Sequence, residues 1–158
     1  MSFGLNGLSQ PMKRLTARCW QRRLGGSMPL AVDTNVLARA LVDDGSEQAR
    51  RSRMLLSEKE IFVPDSVLLE TEWLLRSIMK LDRSHINRTF ATLLASANIS
   101  FSDRRGLADV ITSHGAGLDF ADAMHLHASE GCDGLASFDI DFKRRAKKIA
   151  GAIPVVTP

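Results

Sequence analysis

The chain has 158 residues, 44% of them apolar and 25% charged, a composition that suits one globular domain with a real core. Its net charge of +3 comes from one end. Residues 1–27 carry Lys13, Arg14, Arg18, Arg22 and Arg23 and no acid, which leaves 16 basic against 18 acidic residues in the remainder.

No apolar run approaches the ~20 residues that a membrane helix needs. Cys19 and Cys132 stand in no metal-type or CxxC spacing, as expected of free thiols in a reducing, cytoplasmic compartment. Residues 1–27 lack the apolar core of a secretory signal and read as a basic extension without stable order. A nucleic-acid arm, a transit-like peptide or a dispensable stretch before a start at Met28 all fit them. The domain is expected over 28–158.

In chain order, residues 29–32 read as a buried strand. Thr34 or Asn35 is the expected cap of a helix over 36–42, which stops at Asp43-Asp44-Gly45. Ser46 caps a second helix through Leu56. IFVP (61–64) is a short apolar strand, and Asp65 or Ser66 opens a long helix through 67–79. Residues 82–84 cap a helix carrying Ile86, Phe90, Leu93 and Leu94. ISF (99–101) is a strand, 107–113 a helix, and 118–129 an amphipathic helix stopped by Gly131. GLASF (134–138) is a strand, KRRAKKI (143–149) a basic helix, and IPVVT (153–157) a last strand. Strands alternating with helices imply an α/β fold, a three-layer sandwich with a mostly parallel central sheet of about four to five short strands.

Two strands end on a carboxylate, LAVD on Asp33 and LASFD on Asp139. A parallel sheet binds ligands beyond the carboxyl ends of its strands, although Asp at such a turn also reads as a helix cap. Glu70 interrupts the apolar face of LLETEWLL, where a lone buried carboxylate is costly. Glu72 differs, because it lies four residues before Arg76 and reads as a solvated surface pair. Asp122 lies near the buried stripe of its helix. Asp119, one turn earlier, is either a first-turn charge favoured by the helix dipole or a neighbour whose repulsion a cation relieves. Oxygen-only donors suit Mg²⁺ or Mn²⁺ better than Zn²⁺. His125 borders the site or is an ordinary helix residue. The chain has no GxxxxGKS, GxGxxG or GxSxG motif.

These acids, in VDTNVLARALVDD (32–44), PDSVLLETEWLLR (64–76), GLDFADAMHLHASEG (117–131) and LASFDIDF (135–142), resemble those of PIN-domain ribonucleases, and of VapC-type toxins of toxin–antitoxin pairs in particular. The resemblance spans about residues 28–158. It implies catalytic, metal-holding roles for Asp33, Glu70, Asp122 and Asp139, with Asp119 as a supporting ligand. Thr34 and Asn35 match the polar pair after the first Asp, and Ser137 stands where the family often has Thr. The implied activity is hydrolysis of RNA phosphodiester bonds with one or two Mg²⁺ or Mn²⁺ ions. The implied partners are an antitoxin protein and a second copy of the chain. Acids repel RNA, so cations must hold its backbone. Arg39, Arg76, Lys143, Arg144 and Arg145 are the candidates, with a solvated helix face as the plainer reading of 143–149. Two rivals are a phosphotransferase using Asp33, disfavoured by Asn35 two residues on, and a non-catalytic binding module.

Overall fold

The computed structural model describes residues 28–42 and 44–158; the basic extension, residues 1–27, lies outside them. The described elements are β1 (Leu30–Ala31), α1 (Thr34–Leu41), α2 (Glu47–Glu58), β2 (Ile61–Val63), α3 (Asp65–Ser77), α4 (Arg83–Ala95), β3 (Ile99–Phe101), α5 (Arg104–Gly115), α6 (Phe120–Ala128), β4 (Leu135–Ala136), α7 (Ile140–Ala146) and β5 (Val155–Val156). The fold is α/β, and every strand pairing is parallel. The strands divide into two sheets, β1-β2-β3 and β4-β5, where one sheet of four to five strands is expected from the sequence. Strand length explains the division. β1 and β4 span two residues each, so each has few ladder groups to share. β1 uses them on β2, with the N–H of Leu30 and Val32 donating to Glu60 and Phe62 at 2.8 and 3.2 Å. β4 is held to the last strand by Leu135 and Ser137, whose N–H groups reach Pro154 and Val156 at 2.9 and 2.8 Å.

Side-chain caps set the helix starts. Six of the seven described helices begin after an Asp or Ser whose side chain accepts a first-turn N–H; such a contact satisfies one of the donors that a helix start leaves open. The helix α3 follows Pro64 instead, whose ring suits a helix entry. Thr34 and Asn35 are not the cap of α1. Asp33 takes the N–H of Val36 at 2.8 Å, and Thr34 is already helical. The last helix begins at Ile140, three residues before the expected start, because Asp139 accepts the N–H of Phe142 at 2.9 Å. Gly106 lets α5 and α6 approach, since a Cβ there meets His127 Nε2 at 1.7 Å.

The core is built from Leu37, Ile61, Val63, Leu68, Leu75, Ile86, Phe90 and Phe120, all fully buried. Phe90 and Phe120 pack as tilted rings with centroids 5.3 Å apart. The helix α1 packs on α2 and α3, α3 also meets α4 and α6, and α5 lies between α4 and α6.

The inward face of α3 is Leu68, Thr71, Glu72 and Leu75. This reverses the expected burial of the two glutamates. Glu72 is 2% exposed, whereas Glu70 and Trp73 face outward. Apolar residues occupy both sides of this helix, so its periodicity does not single out one face. The expected partner of Glu72 is present. Arg76 donates to it through Nε at 2.8 Å and Nη2 at 3.4 Å, and His114 Nε2 stands 4.0 Å away. On its other side His114 Nδ1 meets Asn87 Oδ1 at 2.6 Å. The Asn87 amide nitrogen donates to Ile111 O, so its oxygen faces the ring and Nδ1 carries the proton. Burial, with Arg83 and Arg76 nearby, pushes His114 down to about 4.

Two outcomes follow from this buried cluster. Arg76→Met leaves Glu72 buried without its partner and is expected to cost about 2–4 kcal/mol in urea unfolding, part of it recovered in the double variant with Glu72→Gln. The depressed His114 contributes stability that is complete above pH 6.5 and is lost as pH falls toward about 4, on the order of 3 kcal/mol. Unfolding curves of wild type and His114→Gln across that window should therefore converge as the pH drops.

Candidate active site

The acids singled out in the sequence sit at helix starts or on helices that pack in series. Asp33 precedes α1, Glu70 lies on α3, Asp119 precedes α6, Asp122 is in its first turn, and Asp139 precedes α7. The helix α3 touches both α1 and α6, which brings the helix of Glu70 between those of Asp33 and Asp122. Asp33, Asp119 and Asp139 each accept a helix N–H through Oδ1, at 2.8, 3.0 and 2.9 Å. The cap fixes each carboxyl group and leaves its second oxygen without a hydrogen bond among the described residues. Capping and membership of a site are therefore compatible here, and the positive end of the helix dipole offsets part of the cost of gathering negative charge.

The acids form two groups. In the first, Thr34 is 8% exposed and donates its hydroxyl to Glu70 Oε2 at 2.6 Å, so the residue after Asp33 orients the glutamate of α3. In the second, burial and then the charges of Asp119 and Asp139 raise the Asp122 carboxyl above the ordinary carboxylate value, with His125 and Arg145 pulling the other way. Asp139 owes its place to Ser137, whose Oγ accepts its N–H at 3.0 Å. Asn35 and His125 are exposed.

The donor set fits an oxygen-preferring divalent cation, since mutually repelling carboxylates gain from one. Among the described residues, however, no three His, Cys, Asp or Glu side chains stand close enough to hold an ion as they are. The carboxylates are arranged as neighbours and not as a closed cage.

The candidate cations differ in what they face. Arg76 is taken up by Glu72. Arg39 lies 3.5 Å from Asp44, and Arg144 2.7 Å from Asp141. Among the described residues Lys143 donates only to the Thr157 hydroxyl, at 3.1 Å, so its charge is uncompensated by that partner. Arg145 reaches Gly117 O at 3.4 Å, beside the turn that carries Asp119. Sequence reasoning missed Arg83 and the depth of Glu72. Arg83 donates to His114 O at 2.5 Å and Leu118 O at 2.8 Å, and so fastens the α5–α6 turn just before Asp119. Glu72 anchors Arg76, whose charge is felt with that of Asp119. The i,i+4 spacing signals the Glu72 pair, but nothing in the sequence signals its depth or the reach of Arg83 across 35 residues.

The PIN domain family model matches residues 30–148. No curated protein and no solved structure matches the chain. Proteins of this family are generally nucleases, hydrolases that generally depend on a divalent metal. The match takes in the strands, caps and acids described above from Leu30 through α7, and on that ground the chain belongs to the PIN domain family.

Proposed function

We propose that this protein is an endoribonuclease dependent on Mg²⁺ or Mn²⁺ and the toxin of a toxin–antitoxin pair. The observation that carries the nuclease reading is the gathering of Asp119, Asp122 and Asp139, where burial and then the two neighbouring charges raise the Asp122 carboxyl, in a chain of the PIN family. Asp33, Glu70, Asp122 and Asp139 would hold one or two ions, with Asp119 in support. A bound ion supplies Lewis acidity, which makes a water a better nucleophile and neutralises charge developing on the phosphate. The remaining work belongs to the chain. Helix N–H groups hold Asp33 and Asp139 in place, and Thr34 fixes Glu70. Lys143 and the guanidinium groups of Arg144 and Arg145 offer a positive flank to an RNA backbone that the acids repel.

The toxin reading rests on the likeness of segments 32–44, 64–76, 117–131 and 135–142 to VapC-type toxins. With it go a homodimer, an antitoxin that blocks the acidic cleft with a basic side chain, and a cytoplasmic location. Among the described residues no helix is long and apolar enough to cross a membrane, and Cys132 is a free thiol.

Two experiments test the reading. The full chain, freed of any partner, should cut a broad pool of single-stranded RNA with Mg²⁺ or Mn²⁺ and not in EDTA. Asp33→Asn should lower cleavage by at least a hundredfold while leaving the circular dichroism unchanged. No cutting by a folded wild type with either metal would favour a non-catalytic binding module. Independently of activity, Asp122→Asn should raise the thermal midpoint of the metal-free protein, because it removes a carboxyl that burial and two like charges disfavour. Added Mn²⁺ should then raise the midpoint of the wild type and that of the variant less.

A further inference from the structure

Phe138 and Ile140 flank Asp139 and are the most exposed large apolar side chains among the described residues, at 78% and 77%. Most apolar side chains of that size are drawn inward, and here the backbone holds these two out. Ser137 is tied to β5 through its N–H at 2.8 Å. Asp139 donates its own N–H to Ser137 Oγ at 3.0 Å and caps Phe142 at 2.9 Å. Phe142, two residues past Ile140, is 5% exposed and anchors α7 in the core. The segment on either side of Phe138 is thus fastened, and the ring is presented to solvent beside a carboxylate of the candidate active site.

From this placement we infer that Phe138 is a specificity-determining residue, whose ring stacks on an unpaired nucleobase next to the phosphodiester lodged at Asp139. The inference deepens the ribonuclease reading and rests on it for the identity of the ligand. The surroundings favour a nucleobase over a protein face. Protein interfaces have cores depleted of charge, whereas this patch is interleaved with exposed Asp139 and Asp141 and with Arg144, whose side chain is 67% exposed. An acidic site gains little from attraction to phosphate, so contacts that ignore charge add to what the flanking cations supply. Base stacking on an aromatic ring is such a contact and is available only where bases are unpaired. Lys143, one turn along α7 and bonded among the described residues only to a hydroxyl, would take the phosphate of the stacked nucleotide.

The test is binding of a labelled single-stranded RNA pool to the full chain by fluorescence anisotropy, in Ca²⁺ and again in EDTA, with no cleavage required. Phe138→Ala should weaken binding roughly tenfold, the order expected for one lost stacked base. Phe138→Trp should restore it and Phe138→Leu should not. Duplex RNA should bind the wild type and Phe138→Ala alike. In Mg²⁺ or Mn²⁺, cleavage by Phe138→Ala should show a raised KM with kcat little changed. Unchanged affinity in Phe138→Ala overturns the proposal, as does full rescue by leucine, which would make the contact merely apolar. A change in sedimentation with RNA affinity unchanged also overturns it and assigns the patch to a second copy of the chain. A wild type that binds RNA through Phe138 yet cuts none overturns the nuclease reading and leaves this inference standing.

Discussion

Like charges must be held close together for this site to exist, and helix N-termini hold them. Each of Asp33, Asp119 and Asp139 takes a backbone N–H at the first turn of a helix, so that the donors left open by helix formation are the groups that orient the acids. This arrangement satisfies two constraints with one contact. The helix loses an orphan donor, and the carboxylate gains a fixed direction and a favourable dipole. Asp122 accepts no such cap contact among the described residues, and burial and then its neighbours' charges push its carboxyl upward.

Behind the turn that carries Asp119 lies a buried cluster of charged and polar side chains. Glu72 and Arg76 form a pair with one end buried and the other partly in solvent. His114 is wedged between that pair, Asn87 and the ring of Phe120, whose edge-on contact has centroids 5.4 Å apart. Arg83 binds the carbonyls that close α5 and precede Asp119. Buried charges of this kind are seldom a net gain in stability over apolar residues of the same size. Arg83 ties this cluster to the segment before Asp119 through the carbonyls of His114 and Leu118. Stability and site geometry therefore depend on the same cluster.

The acids remain neighbours without forming a closed cage, and the cations around them are mostly committed to other partners. Repulsion among carboxylates opposes a tighter cluster, and a cation would favour one. The exposed apolar pair Phe138 and Ile140 flanks Asp139, one of these acids.

Much of this was legible in the sequence for a physical reason. Caps, strand–helix alternation and the position of an acid at a strand end are local, and local chemistry is written in adjacent residues. That is why the α/β class, the order of elements and the positions of Asp33, Glu70, Asp122 and Asp139 at element ends or on helices can be read directly. The Glu72–Arg76 pair was legible too, as an i,i+4 spacing. Whether that pair faces water was not, because VLLETEWLL is apolar on both sides and only the neighbours of α3 choose the buried one. The role of Asp33 as its own cap turned on backbone geometry that Thr34 and Asn35 satisfy equally well on paper. The sequence by itself determined the α/β class, the order of the elements and which acids stand at strand ends or on helices. The tertiary structure decided which glutamate is buried, how the strands divide between two sheets and which aromatic ring is left in solvent, since those depend on contacts between residues far apart in the chain.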